Sequence, residues 1–231
     1  MTRITEQLAD LEGRIRSAAA AAGRDVTSIR ILAVSKKHPP ATVQEALEAG
    51  LRDFGENFVQ EALPKIAAVR GDPVWHFIGG IQSNKTRPVA EHFDWVHTLT
   101  SRRIAERLSE HRLLEKGDLQ VCIQVRPLAS GDQGRGRGGM PADEVPELAD
   151  LIDDLPRLKL RGLMMMPLPE QSSAEIRHEY ARTRKMLAQL RAAGHDVGTL
   201  SMGMSSDLDA AIMEGSTLLR IGTALFGSRH E

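Results

Sequence analysis

The stretch that best indicates the fold is Arg30-Ile31-Leu32-Ala33-Val34-Ser35-Lys36, a short apolar run that ends in a lysine. Its length and composition predict a buried strand. A lysine at the end of such a strand lies where the apolar interior meets solvent, and partial desolvation there lowers the pKa of its amine. A neutral amine is a nucleophile whose partner is a carbonyl group, so Lys36 is a candidate for a Schiff base. The ordinary alternative is a surface lysine that extends its amine into water.

Strand and helix patterns alternate on both sides of this stretch. Eight segments are predicted as strands, at residues 30–36, 52–55, 74–78, 95–99, 119–125, 158–165, 199–202 and 218–221. Helical patterns precede and separate them, at residues 5–22, 41–49, 58–69, 85–91, 102–116, 142–151, 174–193 and 206–213. Such alternation predicts parallel strands joined by right-handed crossovers. We therefore expect a single-domain (β/α)8 barrel of the TIM type over residues 1–231, with a doubly wound open sheet as the structural alternative.

Two features depart from a regular barrel. No helix is predicted after the eighth strand, and we expect the amphipathic N-terminal helix at residues 5–22 to cover that gap in the outer ring. The second feature is the glycine- and arginine-rich segment at residues 130–139, which predicts a mobile connector. Its glycines match no P-loop spacing, so a phosphate cradle is no better supported there than a simple connector.

The composition excludes several classes of protein. The net charge of −1 over 231 residues provides no basic footprint for nucleic acid or for an anionic membrane. No apolar run approaches the roughly twenty residues that span a bilayer, and the polar N-terminus has no signal-peptide pattern. The single cysteine, Cys122, lies in an apolar run and is expected to be a small buried hydrophobic residue. We expect a cytoplasmic protein.

In a barrel of this kind, the functional site forms where the strands end. The segment 203–207 leads from the seventh strand into a helix with a serine as its expected N-cap, and Gly222-Thr223 follows the eighth strand. Helix N-termini and the last two loops of such barrels bind phosphate, although serines here are also ordinary caps. Arg220 lies inside the apolar eighth strand and needs either an ion-pair partner or a ligand. The histidines show no metal-binding spacing.

Several motifs, in order along nearly the whole chain, resemble those of the pyridoxal phosphate homeostasis proteins, a barrel family related to the N-terminal domain of alanine racemase. The matching motifs are Leu32-Ala33-Val34-Ser35-Lys36, Phe54-Gly55-Glu56-Asn57, Trp75-His76-Phe77-Ile78-Gly79, Gln82-Ser83-Asn84-Lys85, Gly162-Leu163-Met164-Met165-Met166, Leu200-Ser201-Met202-Gly203-Met204-Ser205 and Arg220-Ile221-Gly222-Thr223-Ala224-Leu225-Phe226-Gly227.

This resemblance implies a fold type III barrel that binds pyridoxal 5′-phosphate (PLP) as a Schiff base on Lys36. It assigns the cofactor to Lys36, Asn57, His76, Ser201, Ser205, Arg220, Gly222 and Thr223. The phosphate is expected among the two serines, Gly222 and Thr223, with Arg220 near the pyridine nitrogen. The sequence departs from the family at Arg126-Pro127 and in the glycine-rich segment beyond, so no role in cofactor exchange is carried over to that loop.

Three functions are compatible with these residues. An arginine at the ring nitrogen leaves the ring a weak electron sink, and the only tyrosine, Tyr180, lies in an outer helix, so the second base of a two-base racemase is missing. We therefore expect a monomeric, non-enzymatic PLP-homeostasis protein that buffers the cofactor or delivers it to PLP-dependent apoenzymes. A weak amino-acid racemase with His76 or water as the second base is the alternative. A Schiff-base aldolase acting on a sugar phosphate, without the cofactor, is the third.

Overall fold

Eight parallel strands close into a barrel in the computed structural model, which describes residues 2–128 and 138–227. The strands are β1 (Arg30–Val34), β2 (Asp53–Glu56), β3 (Val74–Phe77), β4 (Trp95–Leu99), β5 (Leu119–Val125), β6 (Leu158–Met165), β7 (Thr199–Ser201) and β8 (Leu218–Ile221). Each strand pairs in parallel with the next one, and β8 pairs with β1 to close the ring. The predicted (β/α)8 barrel is confirmed, and the open sheet is excluded.

The helices form the outer ring. They are α1 (Arg3–Ala21), α2 (Pro40–Glu48), α3 (Val59–Ala68), α4 (Thr86–His92), α5 (Arg102–His111), α6 (Val145–Asp154), α7 (Ser173–Ala192), α8 (Leu208–Met213) and α9 (Thr223–Phe226). The expectation that no helix follows β8 is wrong, because α9 forms one turn there. A single turn is too short to fill this gap in the outer ring of helices, and α1 packs against both α8 and α9, so the predicted role of the N-terminal helix is confirmed. Among the described residues, no helix is long and apolar enough to cross a membrane.

The core has one layer outside the strands and another inside the barrel. The outer layer is a single hydrophobic cluster in which strand residues such as Ala33 and Phe54 pack with residues of the helices. Cys122 belongs to the inner layer and is fully buried. Burial raises the pKa of its thiol to about 12, so the predicted role of Cys122 as a small hydrophobic residue is confirmed.

A glycine in β6 allows two strands to approach closely. The register between β5 and β6 shifts between Val121 and Cys122, opposite Gly162. Gly162 has φ +156°, and a Cβ on it would lie 1.9 Å from the carbonyl oxygen of Thr199. Only glycine fits at this position, because any side chain would push β7 away from β6.

Candidate functional site

A cavity of about 700 Å³ opens at the C-terminal ends of the strands, and we call it the C-terminal cavity. It lies where the barrel architecture places functional sites. Among the described residues, it is lined by Val34, Lys36, Asn57, Ile78, Gly79, Gly80, Thr98, Gln124, Gly138, Met164, Met166, Met204, Ser205, Ser206, Arg220, Gly222 and Thr223. Its wall combines methionine and aliphatic side chains with a few polar groups, which is typical of a site for a small organic ligand.

Six of the eight residues assigned to the cofactor line this cavity. They are Lys36, Asn57, Ser205, Arg220, Gly222 and Thr223. Lys36 lies two residues after the end of β1 and is partly buried, while Gly222 and Thr223 follow β8, the neighbouring strand of the barrel. The geometry thus places the amine of Lys36 in the same cavity as Gly222 and Thr223, which are expected to bind the phosphate. The role of each residue in binding stays a prediction.

The other two assigned residues, His76 and Ser201, are fully buried and do not line the cavity. Both belong to a line of hydrogen bonds that we call the polar chain, which consists of Asp53, His76, His97, Ser201 and Arg220. His76 Nε2 lies 2.8 Å from Asp53 Oδ1, and its Nδ1 lies 2.9 Å from His97 Nε2. His97 Nδ1 lies 2.8 Å from Ser201 Oγ, which accepts a hydrogen bond of 3.0 Å from Arg220 Nη1. The chain therefore reaches the cavity only through Arg220.

The polar chain has a carboxylate at one end and two neutral imidazoles in the middle. Burial opposes ionisation of Asp53, but its hydrogen bond with His76 and the charge of Arg30 outweigh burial and hold the pKa of this carboxyl below its usual value. Burial lowers the pKa of His76 despite its bond to Asp53. The pKa of His97 is lowered further by burial, by His76 and by the charge of Arg220. Both imidazoles are therefore uncharged at neutral pH.

These buried histidines make stability depend on pH. An unfolded histidine binds a proton below about pH 6.5, whereas His76 and His97 resist protonation in the folded state. The unfolded state then binds more protons, so stability falls as the pH falls below about 6.5. We expect the free energy of unfolding, measured in urea from pH 8 to pH 5, to fall less steeply for His97→Gln than for the wild type. Equal slopes would contradict the neutral assignment of His97.

A buried charge cluster lies behind Lys36, and we call it the Lys65 cluster: Ser35, Glu56, Glu61 and Lys65. Lys65 Nζ donates to Glu56 Oε1 at 2.7 Å, to Glu61 Oε1 at 2.8 Å and to the Ser35 carbonyl at 2.9 Å. The hydroxyl of Ser35 donates to Glu56 at 2.6 Å, and the backbone N–H of Lys37 donates to Glu61. The cluster therefore holds the backbone on both sides of Lys36.

The turn after β7 differs from the sequence prediction. The helix expected at residues 206–213 begins at Leu208, and its N-cap residue is Asp207, so the expected serine cap is wrong. The carboxylate of Asp207 instead accepts hydrogen bonds from the N–H of Met204 and from the hydroxyl of Tyr180. These bonds lock the turn and leave Ser205 and Ser206 at the edge of the cavity.

Sequence reasoning missed the partners of the predicted residues. His97 and Asp53 each lie inside a predicted strand, and the sequence indicates no role for either, although alternation along the strands directs both inward. Glu61 and Lys65 form an i,i+4 pair on a helix, a pattern that normally indicates a surface pair. The glycine-rich segment contributes Gly138 to the cavity, while its residues up to 137 lie outside the described part of the chain. No group of potential metal ligands occurs among the described residues.

Comparisons with known proteins extend over nearly the whole chain. Residues 7–230 match the family described as "Alanine racemase, N-terminal domain". The chain is 51% identical to the pyridoxal phosphate homeostasis protein of Pseudomonas aeruginosa over 230 residues, covering 99% of this chain and 97% of the relative. The structure of PipY from Synechococcus elongatus without PLP has a TM-score of 0.86 at 36% identity, covering 97% of this chain and 100% of PipY. The form with PLP bound has a TM-score of 0.82 at 37% identity with the same coverage.

Proposed function

This chain belongs to the family of pyridoxal phosphate homeostasis proteins, and from that premise we propose that it binds PLP in the C-terminal cavity and holds it for use elsewhere. Bound PLP supplies an aldehyde carbon that amines attack and a ring that withdraws electrons. We assign Lys36 as the amine that joins this aldehyde in a Schiff base, with loss of one water molecule. Ser205, Gly222 and Thr223 are assigned to the phosphate, and Arg220 to the ring nitrogen.

One observation supports this proposal: the amine of Lys36 and the residues assigned to the phosphate line the same cavity, which has a suitable size. Lys36 and the Gly222-Thr223 turn lie at the ends of the neighbouring strands β1 and β8. Hydroxyl groups and backbone N–H groups at such turns bind phosphate oxygens. Arg220 supplies a fixed cationic donor. These groups match the aldehyde, the phosphate and the ring nitrogen of one molecule.

An unpaired atom at the cavity also fits the cofactor. Asn57 lines the cavity, and its Oδ1 is buried with no hydrogen-bond partner among the described residues. A buried polar atom without a partner costs about 1–3 kcal/mol, so a ligand group is the natural way to satisfy it. Because the oxygen and nitrogen of an amide are assigned by their partners, the amide can present its NH₂ group to the cofactor's phenolate oxygen. The residues present therefore fit PLP.

The direct test is borohydride trapping in the wild-type protein. Protein incubated with PLP should turn yellow, and borohydride should fix the cofactor irreversibly. Digestion and mass spectrometry should place the added mass on the peptide that contains Lys36. A colourless protein, or an adduct distributed over several surface lysines, would contradict the proposal. A colourless protein trapped only in the presence of a ketose phosphate would instead support an aldolase.

Two adjacent glycines at the cavity provide a matched pair of variants. A Cβ on Gly79 would lie 2.0 Å from the carbonyl oxygen of Asn57, whereas one on Gly80 would meet nothing within 4 Å. Gly79→Ala should therefore displace Asn57, weaken PLP binding and destabilise the fold by about 1–3 kcal/mol. Absorbance titration with PLP and urea unfolding measure the two effects. Gly80→Ala is the control, and equal behaviour of the two variants would contradict the role of Asn57.

The described site supports holding the cofactor better than turning over a substrate. Tyr180 does not line the cavity, since its hydroxyl is bound to Asp207 at 3.1 Å. His76, the substitute base considered above, is sealed inside the barrel. We expect α-deuterium exchange across a panel of amino acids to be no faster than with free PLP. Faster exchange with one amino acid would favour a racemase.

We also propose that PLP-dependent apoenzymes in the cytoplasm receive the cofactor from a monomeric carrier. The wild-type protein loaded with PLP should activate an added apo-aminotransferase, and it should elute as a monomer in size-exclusion chromatography. Trapping with borohydride before mixing should abolish this activation, because the reduced bond cannot release the cofactor. Equal activation after reduction would show that delivery does not pass through Lys36.

A further inference from the structure

The polar chain crosses the interior of the barrel from the start of β2 to the C-terminal cavity. Barrels of this type are usually filled with branched apolar side chains, and buried polar groups persist only when they are hydrogen-bonded. Here β2, β3, β4, β7 and β8 each contribute one polar residue, with Asp53 at the start of β2 and Arg220 in β8. Such a chain needs a reason beyond filling space, because apolar residues would fill the same volume without desolvating charges.

The two ends of the polar chain determine where every proton lies. An ionised Asp53 can only accept, and Arg220 can only donate. Asp53 therefore accepts a hydrogen bond from Nε2–H of His76, and Nδ1 of His76 is left to accept from Nε2–H of His97. Nδ1 of His97 accepts from the hydroxyl of Ser201, whose oxygen accepts in turn from Arg220. With both imidazoles neutral, only this arrangement satisfies every bond.

Both ends of the polar chain are also anchored. At the far end, Arg30 donates to Asp53 at 3.1 Å and lies over the ring of Trp95, 5.6 Å from its centroid. At the cavity end, Arg220 Nη1 also donates to the Ser201 carbonyl, and Nη2 donates to the Met165 carbonyl at 2.9 Å. These bonds from the barrel interior therefore fix the plane of the Arg220 guanidinium, while the residue also lines the C-terminal cavity.

We propose that the polar chain positions Arg220 for the cofactor, so that Asp53, His76 and His97 are positioning residues of the PLP site. This inference rests on the proposed function. A fixed guanidinium presents a cationic N–H to the ring nitrogen and excludes a proton from it. The ring then remains a weak electron sink, which suits a protein that holds PLP without consuming it. The polar chain thereby couples Asp53, at the end of the barrel away from the C-terminal cavity, to the electronic state of the cofactor.

Variants that interrupt the chain at different points test this inference. His97→Leu removes the hydrogen bonds of His97 to His76 and to Ser201. Ser201→Ala removes only the hydroxyl between His97 and Arg220, so this milder variant replaces His97→Leu in the test if His97→Leu fails to fold. His97→Gln keeps a donor and an acceptor and should restore part of the function. Cys122→Ala is the matched control, since Cys122 is fully buried inside the barrel but outside the polar chain.

The first measurement uses the protein without cofactor. Nitrogen-15 NMR of the wild type should show two neutral imidazoles that carry their protons on Nε2, persisting below the ordinary histidine pKa of about 6.5. A proton on Nδ1, or a charged ring, at either His76 or His97 would overturn the inference. This measurement does not depend on PLP, so it tests the direction of the hydrogen bonds in the polar chain independently of the proposed function.

The second measurement uses the protein loaded with PLP. In His97→Leu and Ser201→Ala, Arg220 keeps its bonds to the carbonyls of Ser201 and Met165 but loses the orientation that the Ser201 hydroxyl imposes on it. The ring nitrogen should then take up a proton more readily, so the visible spectrum should change with pH where the wild-type spectrum does not. PLP should also dissociate about tenfold faster, the effect of losing about 1.4 kcal/mol of binding. Cys122→Ala should match the wild type. Unchanged spectra and rates in both chain variants would overturn the inference alone, whereas failure of the wild type to bind PLP would overturn the proposed function as well.

Discussion

Replacing Lys36 with alanine is expected to reduce borohydride-fixed PLP to background. A Schiff base requires a primary amine, and Lys36 is the lysine that lines the described part of the C-terminal cavity. The yellow colour of the loaded protein should disappear, because the absorbance arises from the conjugated imine. The residues assigned to the phosphate remain in this variant, as does Arg220. Weak, colourless binding of PLP should therefore persist, and it can be measured by calorimetry.

The neighbouring lysine provides the control. Lys37 is exposed and has φ +67°, a conformation that asparagine tolerates better than most residues. Lys37→Asn therefore removes an amine one position away with little strain, and it should keep both colour and adduct. A persistent adduct in Lys36→Ala, or its loss in Lys37→Asn, would reverse the assignment of the anchor.

Replacing Lys65 with methionine is expected to cause the largest loss of stability. The side chain of Lys65 is only 4% exposed, and that of Glu56 is fully buried. Removing Lys65 leaves the neighbouring carboxyl groups of Glu56 and Glu61 without their shared cation, and breaking a buried ion pair in this way costs about 3–5 kcal/mol. Urea unfolding should show a lower midpoint with an unchanged slope.

The same variant should also affect the cofactor site. Lys65 binds the Ser35 carbonyl, so its loss should loosen the backbone that presents Lys36 and slow the formation of the PLP adduct. Lys185→Met, on an exposed position of α7, is the control for loss of a positive charge. Adding Glu56→Gln to the Lys65 variant should recover part of the stability, because it removes the unpaired charge. A loss below about 1 kcal/mol in Lys65→Met would mean that the cluster behaves as a surface pair.

The sequence predicted those parts of the site that depend on local order along the chain. Each strand end is defined by a short apolar run and the residue that follows it, so Lys36, Asn57 and Gly222 could be placed at one rim once eight parallel strands were expected. The turn after β7 could not be predicted in detail. Asp207 occupies the N-cap position without a capping bond from its side chain, and its carboxylate instead binds Met204 within the turn and Tyr180 in a different helix, a contact that no local pattern predicts.

By itself, the sequence determined that eight strands alternate with helices and that Lys36 closely follows the first of these strands. The spacing of apolar residues and the order of the segments along the sequence are sufficient for these conclusions, because both depend only on residues that are close in sequence. Only the tertiary structure decided that His76 and Ser201 belong to the polar chain below the cavity and that Lys65 is buried. Those contacts join residues from different strands and helices, and they depend on the stagger of the strands around the closed barrel, which no local pattern specifies.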